Sequence, residues 1–333
     1  MTPVVTFFNN KGGVGKTSLV YHLAWMYALR GTRVLIADLD PQANLTALLF
    51  DEDDVERLWD RTKVRTIFDP IAQMVDHEGG LGAPHVEPVA RNLSALIGTP
   101  RLAAFEGELA ENWLKCLDGK PGPFKVIKAF WDLVQAGAAH VDAEVVLVDV
   151  GPSLGAINRA ALVASDHVVM PLGADLFSLA GIENLGKWLA DTRMEWSTRR
   201  SRAGGLTVPP GDMRAAGYIV SQHAVQSGRP VKAYERWMRR IPGTYADSVL
   251  GVAPTTDDPA ADANCLGIVK HFRSLMPLAQ EARKPIFQLR AADGALGSHA
   301  QAAQQAYSDF RDLAERVAIA TWRPAPTAAS IGG

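Results

Sequence analysis

The feature that most constrains the fold is a glycine-rich segment close to the first residue, between an apolar stretch and a helical pattern. Five apolar or β-branched residues, Val4–Phe8, precede the segment NNKGGVGKTS at residues 9–18. Residues 19–29 then have the composition of an α-helix. A strand, a glycine-rich loop and a helix in this order form a phosphate-binding loop. We therefore predict a phosphate site at the end of the first strand of an α/β sheet.

The residue types in this loop suit phosphate chemistry. Gly12, Gly13 and Gly15 allow the backbone to turn its N–H groups toward phosphate oxygens, and the start of the following helix adds partial positive charge. Lys16 is placed to hold the β- and γ-phosphates, and the Thr17 hydroxyl is placed to bind Mg²⁺. A structural glycine turn is the alternative, although such a turn does not require a Lys-Thr pair at its end.

Apolar runs rich in β-branched residues recur along the chain and alternate with helical periodicity. These runs are residues 4–8, 34–37, 145–148, 167–170 and 217–220. The alternation predicts an α/β fold, with a mostly parallel twisted sheet flanked by helices. Residues from about 51 to 140 contain helical stretches, such as 102–117 and 124–136, without a chemical motif. We interpret them as a helical insertion in a single domain over residues 1–320, followed by a flexible tail at 321–333.

Composition excludes several classes of protein. Of the 333 residues, 47% are hydrophobic and 21% are charged, which is too little charge for a disordered chain. The formal net charge of −2 provides no overall field that attracts nucleic acid or anionic lipid. Cys116 and Cys265 lack the spacing of a zinc or iron–sulfur site. The sequence has no signal-peptide pattern and no apolar stretch of about 20 residues, so we expect a soluble, cytoplasmic protein without a membrane partner.

A second lysine, Lys11, stands at the start of the loop. The run KGGVGKTS at residues 11–18 resembles the deviant Walker A motif of the ParA/MinD family of ATPases and matches it at every position. The resemblance implies ATP and Mg²⁺ as cofactors, with the whole loop, including Val14 and Ser18, around the nucleotide. It also implies an ATP-dependent homodimer in which Lys11 reaches the partner's phosphates. A solvated surface lysine is the alternative for Lys11.

The predicted strand at 34–37 is followed by two aspartates. A carboxylate at the carboxyl end of a parallel strand beside the phosphate loop can hold Mg²⁺ through water or orient the water that attacks the γ-phosphate. Residues 38–46, DLDPQANLT, resemble the family's first switch. This resemblance gives Asp40 the water-orienting role and places Asp38 near the metal. An aspartate-rich turn is the alternative.

The predicted strand at 145–148 also ends in a carboxylate. Residues 149–155, DVGPSLG, resemble the family's second switch, with a glycine where the first proline often stands. The resemblance implies that Asp149 binds the water shell of Mg²⁺ and that Gly151 and Pro152 lie at the nucleotide. A strand-capping aspartate is the alternative.

One later segment resembles part of the family's base pocket, and another departs from it. Residues 281–286, EARKPI, are similar to a late segment that borders the pocket. Gln222 and His223 stand where relatives often place an adenine-binding asparagine. We therefore include Gln222 among the predicted nucleotide contacts.

Residues 190–240 carry a local excess of positive charge. Ten lysines and arginines outnumber four aspartates and glutamates there by six. Such an excess can bind DNA phosphates without reading sequence. The predicted DNA contacts are Arg199, Arg200, Lys232, Arg236, Arg239 and Arg240. A solvated helix face with salt bridges is the alternative.

The resemblance implies an ATP-dependent dimerising switch that hydrolyses ATP slowly and positions cargo, such as a plasmid, a chromosome or a protein cluster. Non-specific DNA would serve as the track, and a ParB-like adaptor would stimulate hydrolysis, so the protein would be associated with the nucleoid. A nucleotide-gated regulator that recruits a partner protein without a DNA track is the alternative. A metabolic enzyme with the same fold is a third possibility, weakened by the absence of cluster-binding cysteines.

Overall fold

The computed structural model describes residues 1–60, 62–76, 79–221, 231–269 and 275–323. Within these ranges, eight strands and thirteen α-helices follow one another. The strands are β1 (Val4–Phe7), β2 (Val34–Asp38), β3 (Glu87–Ala90), β4 (Leu93–Leu96), β5 (Val145–Asp149), β6 (His167–Gly173), β7 (Arg214–Ser221) and β8 (Cys265–Val269). The predicted tail lies outside these ranges from residue 324 onward.

One or more helices lie between each pair of consecutive strands except β3 and β4. The helices are α1 (Lys16–Leu29), α2 (Asn44–Leu49), α3 (Glu52–Leu58), α4 (Asp69–Val75), α5 (Phe105–Lys115), α6 (Pro121–Ile127), α7 (Ala129–His140), α8 (Ala156–Val163), α9 (Leu176–Arg200), α10 (Val231–Met238), α11 (Ile241–Tyr245), α12 (Leu275–Ala282) and α13 (Ser298–Thr321). Short 3₁₀ turns span Pro100–Ala104, Cys116–Asp118, Ile286–Gln288 and Ala291–Asp293, and a π-helical turn spans Ala246–Leu250.

The eight strands form one sheet in the order β3-β4-β2-β5-β1-β6-β7-β8. Every neighbouring pair is parallel except β3 and β4, which are antiparallel. The predicted α/β fold with a mostly parallel sheet is therefore confirmed, and all five predicted strands are present.

The sheet separates two buried apolar layers. In β1, Val4 belongs to one layer, whereas Val5 and Phe7 belong to the other, because successive side chains point to opposite faces. Helices α5, α7, α8 and α9 cover the first face, and α1, α12 and α13 cover the second. No helix among the described residues is both long and apolar enough to cross a membrane.

The segment from 51 to 140 differs from the predicted helical insertion. It contributes β3 and β4, and β4 pairs in parallel with β2 through the register Val34↔Leu93. Its helices also build the core, where the rings of Phe105 and Phe130 lie 5.7 Å apart. The β3 sequence, EPVA, contains Glu87 and Pro88, and Ser94 interrupts the β4 sequence, LSAL, so neither is a continuous apolar run. The segment is thus part of the sheet and its core.

The loop after α9 closes tightly over a buried tryptophan. Trp196 is almost fully buried, and its indole N–H donates a hydrogen bond to the carbonyl oxygen of Pro209 at 3.0 Å. Gly211 has φ +66°, and a Cβ added there would lie 2.1 Å from Trp196 Cδ1. Gly204, in the same loop, has φ +60°, but no described atom lies within 4 Å of an added Cβ.

The two glycines form a matched pair for mutation. We expect Gly204→Ala to lower the free energy of unfolding by about 1–2 kcal/mol through backbone strain alone. Gly211→Ala should cost that amount plus about 1–3 kcal/mol, because Trp196 must move. Urea unfolding of both variants measures the difference. Equal losses for the two would contradict the contact with Trp196.

Candidate nucleotide-binding site

Three adjacent strands bring the predicted motifs to one edge of the sheet. Phe7 of β1 is in register with Asp149 of β5, and Asp149 is in register with Asp38 of β2. The loops that follow these strands therefore meet at the carboxyl ends of the strands. Open α/β sheets bind their ligands at this edge.

The glycine-rich loop adopts the conformation that its sequence predicts. Gly13 and Gly15 have φ values of +74° and +86°, which favour glycine over residues with a Cβ. No atom of the described residues lies within 4 Å of a Cβ added to Gly12 or Gly13. Helix α1 starts at Lys16 and has no side-chain cap. Its first N–H groups are therefore available to an anion inside the loop.

Lys16 is buried at the centre of this loop. Its ammonium donates a hydrogen bond to the carbonyl oxygen of Lys11 at 3.2 Å. Burial lowers the pKa of Lys16, while the negative charges of Asp149 and Asp40 oppose this effect. The two aspartates therefore favour the charged form of a lysine whose surroundings disfavour charge.

Asp149 is fully buried, and neither of its carboxylate oxygens has a hydrogen-bond partner among the described residues. Burial and the neighbouring Asp38 raise the pKa of Asp149 well above its usual range, while Thr17 and Lys16 act in the opposite direction. A buried carboxylate without partners is unfavourable, and a cation would compensate its charge. The donor set of Asp149 and the Thr17 hydroxyl fits Mg²⁺, which prefers oxygen ligands.

The carboxylate of Asp38 is already occupied by protein donors. Its Oδ2 accepts hydrogen bonds from the backbone N–H and the hydroxyl of Thr46, at 2.9 and 2.7 Å, and the N–H of Asp40 reaches Oδ1 at 3.3 Å. Burial raises the pKa of Asp38 to about 6. Asp38 therefore ties the first switch to the sheet next to Asp149, whose oxygens are the ones still available to a metal.

The two predicted switches touch each other. Asp40 is buried, and its Oδ1 accepts a hydrogen bond from the N–H of Gln42 at 2.9 Å. A Cβ added to Gly151 would lie 3.0 Å from the same oxygen, whereas Pro152 is exposed. Asp40 thus lies against the backbone of the second switch. A residue that acts on a γ-phosphate bound between the two switches would need this position.

Lys11 is engaged within its own chain. Its ammonium donates hydrogen bonds to Asp175 at 2.6 Å and to the Ser178 hydroxyl at 3.3 Å. Asp175 also caps α9 by accepting a hydrogen bond from the Ser178 N–H at 2.9 Å. This pairing differs from a solvated surface lysine and holds the Lys11 side chain beside the loop.

The sequence analysis did not identify His22, which contacts the phosphate loop at Ser18. Its ring is buried and stacks on Phe310, with ring centroids 4.8 Å apart. The ring accepts a hydrogen bond from the Ile286 N–H at Nε2 and contacts the Ser18 carbonyl at Nδ1, which assigns the proton to Nδ1. Burial lowers the pKa of His22 to about 4. The signal was its position four residues after Ser18, one helical turn away.

Val14 and the end of β7 lie side by side. The Val14 side chain is fully buried, and its carbonyl oxygen accepts a hydrogen bond from the Ser221 hydroxyl at 3.0 Å. A nucleotide contact of Val14 would therefore use its backbone N–H. The predicted contact Gln222 follows Ser221 directly, but it lies outside the described residues.

The matched family model covers the three loops described above. A model described as an AAA domain, AAA_31, matches residues 2–199, more than half of the chain. The chain belongs to the ParA/MinD family of P-loop ATPases.

Individual relatives agree with this assignment. Bacillus subtilis Soj, the sporulation initiation inhibitor protein, is 31% identical over 186 residues, which cover 56% of this chain and 64% of Soj. The chromosome partitioning protein ParA of Caulobacter vibrioides is 27% identical, over 57% of this chain and 63% of ParA. The match thus spans just under two thirds of each relative. A solved structure from Corynebacterium diphtheriae, 24% identical, has the same fold, with a TM-score of 0.71 over 96% of this chain and 98% of that chain.

The structure corrects one member of the predicted basic patch. The Arg199 side chain is only 6% exposed, and its guanidinium lies 4.3 Å from the centre of the Trp113 ring. It donates hydrogen bonds to the backbone carbonyl oxygens of Trp113 at 2.7 Å and Glu195 at 2.9 Å. Arg199 therefore joins α9 to α5 and is not available to DNA.

Three other predicted arginines lie on an exposed surface around α10 and α11. Arg236 and Arg240 lie over the Trp237 ring at 5.2 and 5.3 Å, and Arg239 pairs with Asp257 at 2.9 Å. Arg239 and Arg240 line an open cleft of about 500 Å³. Arg200 is also exposed, at the end of α9, and donates to the Pro210 carbonyl oxygen at 3.4 Å. The side chain of Lys232 lies outside the described residues.

Asp149 gives this site a predictable dependence on pH. A carboxylate whose pKa is raised in the folded state favours folding below its unfolded value of 3.8. This contribution is lost as the pH rises toward the folded value. We expect Asp149→Asn, without nucleotide, to raise the free energy of unfolding at pH 7.5 by about 1 kcal/mol or more. Denaturant unfolding from pH 4.5 to 7.5 measures this effect.

The control is Glu56→Gln, which neutralises an exposed carboxylate on α3 and should leave stability nearly unchanged. If Asp149→Asn were less stable than the parent protein, the Asp149 charge would be a net stabiliser, through Lys16.

Proposed function

We propose that this protein is an ATP-hydrolysing switch that binds Mg²⁺ and ATP, dimerises in the ATP state and positions cargo on non-specific DNA. The observation that carries the nucleotide part is the open glycine loop around buried Lys16, next to the unpartnered carboxylate of Asp149. The family assignment supports the same activity. A ParB-like adaptor that stimulates slow hydrolysis is part of the proposal.

Each loop has a role in binding. Lys16 and the N–H groups at the start of α1 hold the β- and γ-phosphates. Thr17 and Asp149 would hold Mg²⁺, which when bound neutralises charge on the phosphate oxygens. The described residues contain no group of three or more His, Cys, Asp or Glu side chains arranged for a metal. Phosphate oxygens and water would therefore supply most of its ligands.

Asp40 acts on the attacking water. Its buried carboxylate keeps a fixed direction because the Gln42 N–H holds Oδ1 and the Gly151 backbone lies against it. From this position Asp40 accepts a hydrogen bond from the water and orients it toward the γ-phosphate.

The surface around Lys11 supports a dimer. Next to the Lys11–Asp175 pair, Leu176 and Phe177 are 51% and 76% exposed, and Leu154 of the second switch is 36% exposed. Large apolar side chains exposed near a ligand site are typical of an interaction surface. We propose that the partner subunit covers them, with Lys11 exchanging Asp175 for the partner's nucleotide.

Two substitutions test the nucleotide site. We expect Lys16→Ala to lower the affinity for ATP by about 100-fold or more, because the substitution removes a charge-assisted contact and leaves the phosphates unpaired. Asp40→Ala should bind ATP like the parent protein and lose hydrolysis. Calorimetric titration with ATP and Mg²⁺ and a phosphate-release assay measure both. Hydrolysis by Asp40→Ala at the parent rate would exclude the role of Asp40.

DNA binding is tested in the Asp40→Ala protein, which holds the ATP state. We expect binding to random-sequence duplex DNA with ATP and not with ADP, weakening as salt rises. The triple variant Arg236→Ala, Arg239→Ala, Arg240→Ala should reduce the slope of log affinity against log salt by about 0.9 for each DNA phosphate that the variant no longer neutralises.

Arg311→Ala, an exposed arginine on α13 paired with Asp312, is the matched control. ATP-dependent dimers that bind no DNA at any salt concentration would exclude the DNA track and favour a switch that recruits a protein.

A further inference from the structure

Helix α8 follows the second switch and is capped by a residue from another helix. The N–H groups of Ala156 and Ile157 donate hydrogen bonds to the two carboxylate oxygens of Glu106, at 2.6 and 2.9 Å. Gly155, the residue before α8, provides no side-chain cap. A carboxylate at a helix N-terminus satisfies free N–H groups and interacts favourably with the helix dipole. Glu106, in the first turn of α5, therefore holds the start of α8.

Gly155 makes this approach possible. Its φ of −76° is open to any residue, so its backbone conformation does not require glycine. A Cβ added to Gly155 would instead lie 2.5 Å from Glu106 Oε1, inside van der Waals contact. Glycine at position 155 thus leaves the space that the Glu106 carboxylate occupies.

The first turn of α8 in turn holds the switch loop. The Asn158 side-chain amide donates hydrogen bonds to the carbonyl oxygens of Gly151 at 2.7 Å and Ser153 at 2.6 Å. Gly151 is the residue that lies against Asp40 Oδ1. A continuous set of contacts therefore runs from Glu106 through the start of α8 and Asn158 to the backbone beside Asp40.

We infer that Glu106 is a positioning residue for ATP hydrolysis: it fixes α8, and Asn158 on α8 then fixes the second switch against Asp40. The inference rests on the proposed function, because Asp40 must act on the attacking water for the position of Gly151 to matter. The hydrogen bonds of Glu106 described above go to Ala156 and Ile157, and none of them goes to the phosphate loop or to Lys16. Its loss should therefore affect the chemical step more than nucleotide binding.

The first test separates kcat from KM. Glu106→Ala should lower kcat for ATP hydrolysis by about tenfold or more and leave KM within about threefold, because the phosphate loop is intact. Glu106→Gln keeps one acceptor oxygen and should lie between this variant and the parent protein. Glu111→Ala, on the same helix and paired with Lys115, is the matched control and should hydrolyse ATP like the parent protein.

The second test uses Gly155. Gly155→Ala alone should lower kcat about as much as Glu106→Ala, because its methyl group displaces the carboxylate. In the Glu106→Ala background the methyl group meets no carboxylate, so adding Gly155→Ala should change kcat by less than about twofold. Independent, multiplying effects of the two substitutions on kcat would overturn the inference.

The outcomes distinguish this inference from the proposed function. If Asp40→Ala abolishes hydrolysis but Glu106→Ala keeps the parent kcat, the proposed function stands and the positioning role is wrong. A loss of unfolding free energy in Glu106→Ala with an unchanged kcat likewise overturns it, leaving a helix cap. If the parent protein binds and hydrolyses no ATP, the proposed function fails first, and the inference fails with it.

Discussion

The structure depends on a concentration of buried charge at the carboxyl ends of β1, β2 and β5. The carboxylates of Asp40 and Asp149 lie near one buried ammonium, that of Lys16, and the buried carboxylate of Asp38 lies near Asp149. Backbone and hydroxyl donors stabilise Asp38 and Asp40, whereas Asp149 has none among the described residues. The remaining negative charge is unfavourable in the free protein. A cation bound beside Asp149 would therefore stabilise the folded protein, since a ligand that binds only the folded state stabilises it.

Three glycines in or near the switches, Gly98, Gly151 and Gly155, allow carboxylates to lie close to the backbone. Added Cβ atoms would lie 2.6 Å from Asp38 at Gly98, 3.0 Å from Asp40 at Gly151 and 2.5 Å from Glu106 at Gly155. None of the three glycines has a positive φ. Each one lets the backbone approach a carboxylate that must be held in place. By contrast, Gly13 and Gly15 in the phosphate loop are required by their backbone angles.

The sequence predicted the features that are local in the chain. The phosphate loop, the aspartates and the central strands are each contained in about ten consecutive residues, so their pattern can be identified without tertiary information. Arg199 and Glu106 could not be assigned in this way. Arg199 is buried by Trp113, and Glu106 reaches Ala156 across fifty residues of sequence. β8, β3 and β4 were missed because Gly267, Pro88 and Ser94 interrupt their apolar runs.

These long-range contacts give α5 a central place beside the site. At its start, Glu106 holds α8 behind the second switch. Near its other end, Trp113 packs on Arg199 and donates a hydrogen bond from its indole N–H to Glu195, both on α9. Helix α9 begins at the Asp175 cap that holds Lys11. If α8 or α9 shifts, α5 must shift with it, because densely packed side chains do not deform continuously. Helix α5, in the segment from 51 to 140 that carries no motif, therefore connects α8 and α9. The first turn of α8 holds the second switch, and the first turn of α9 holds Lys11.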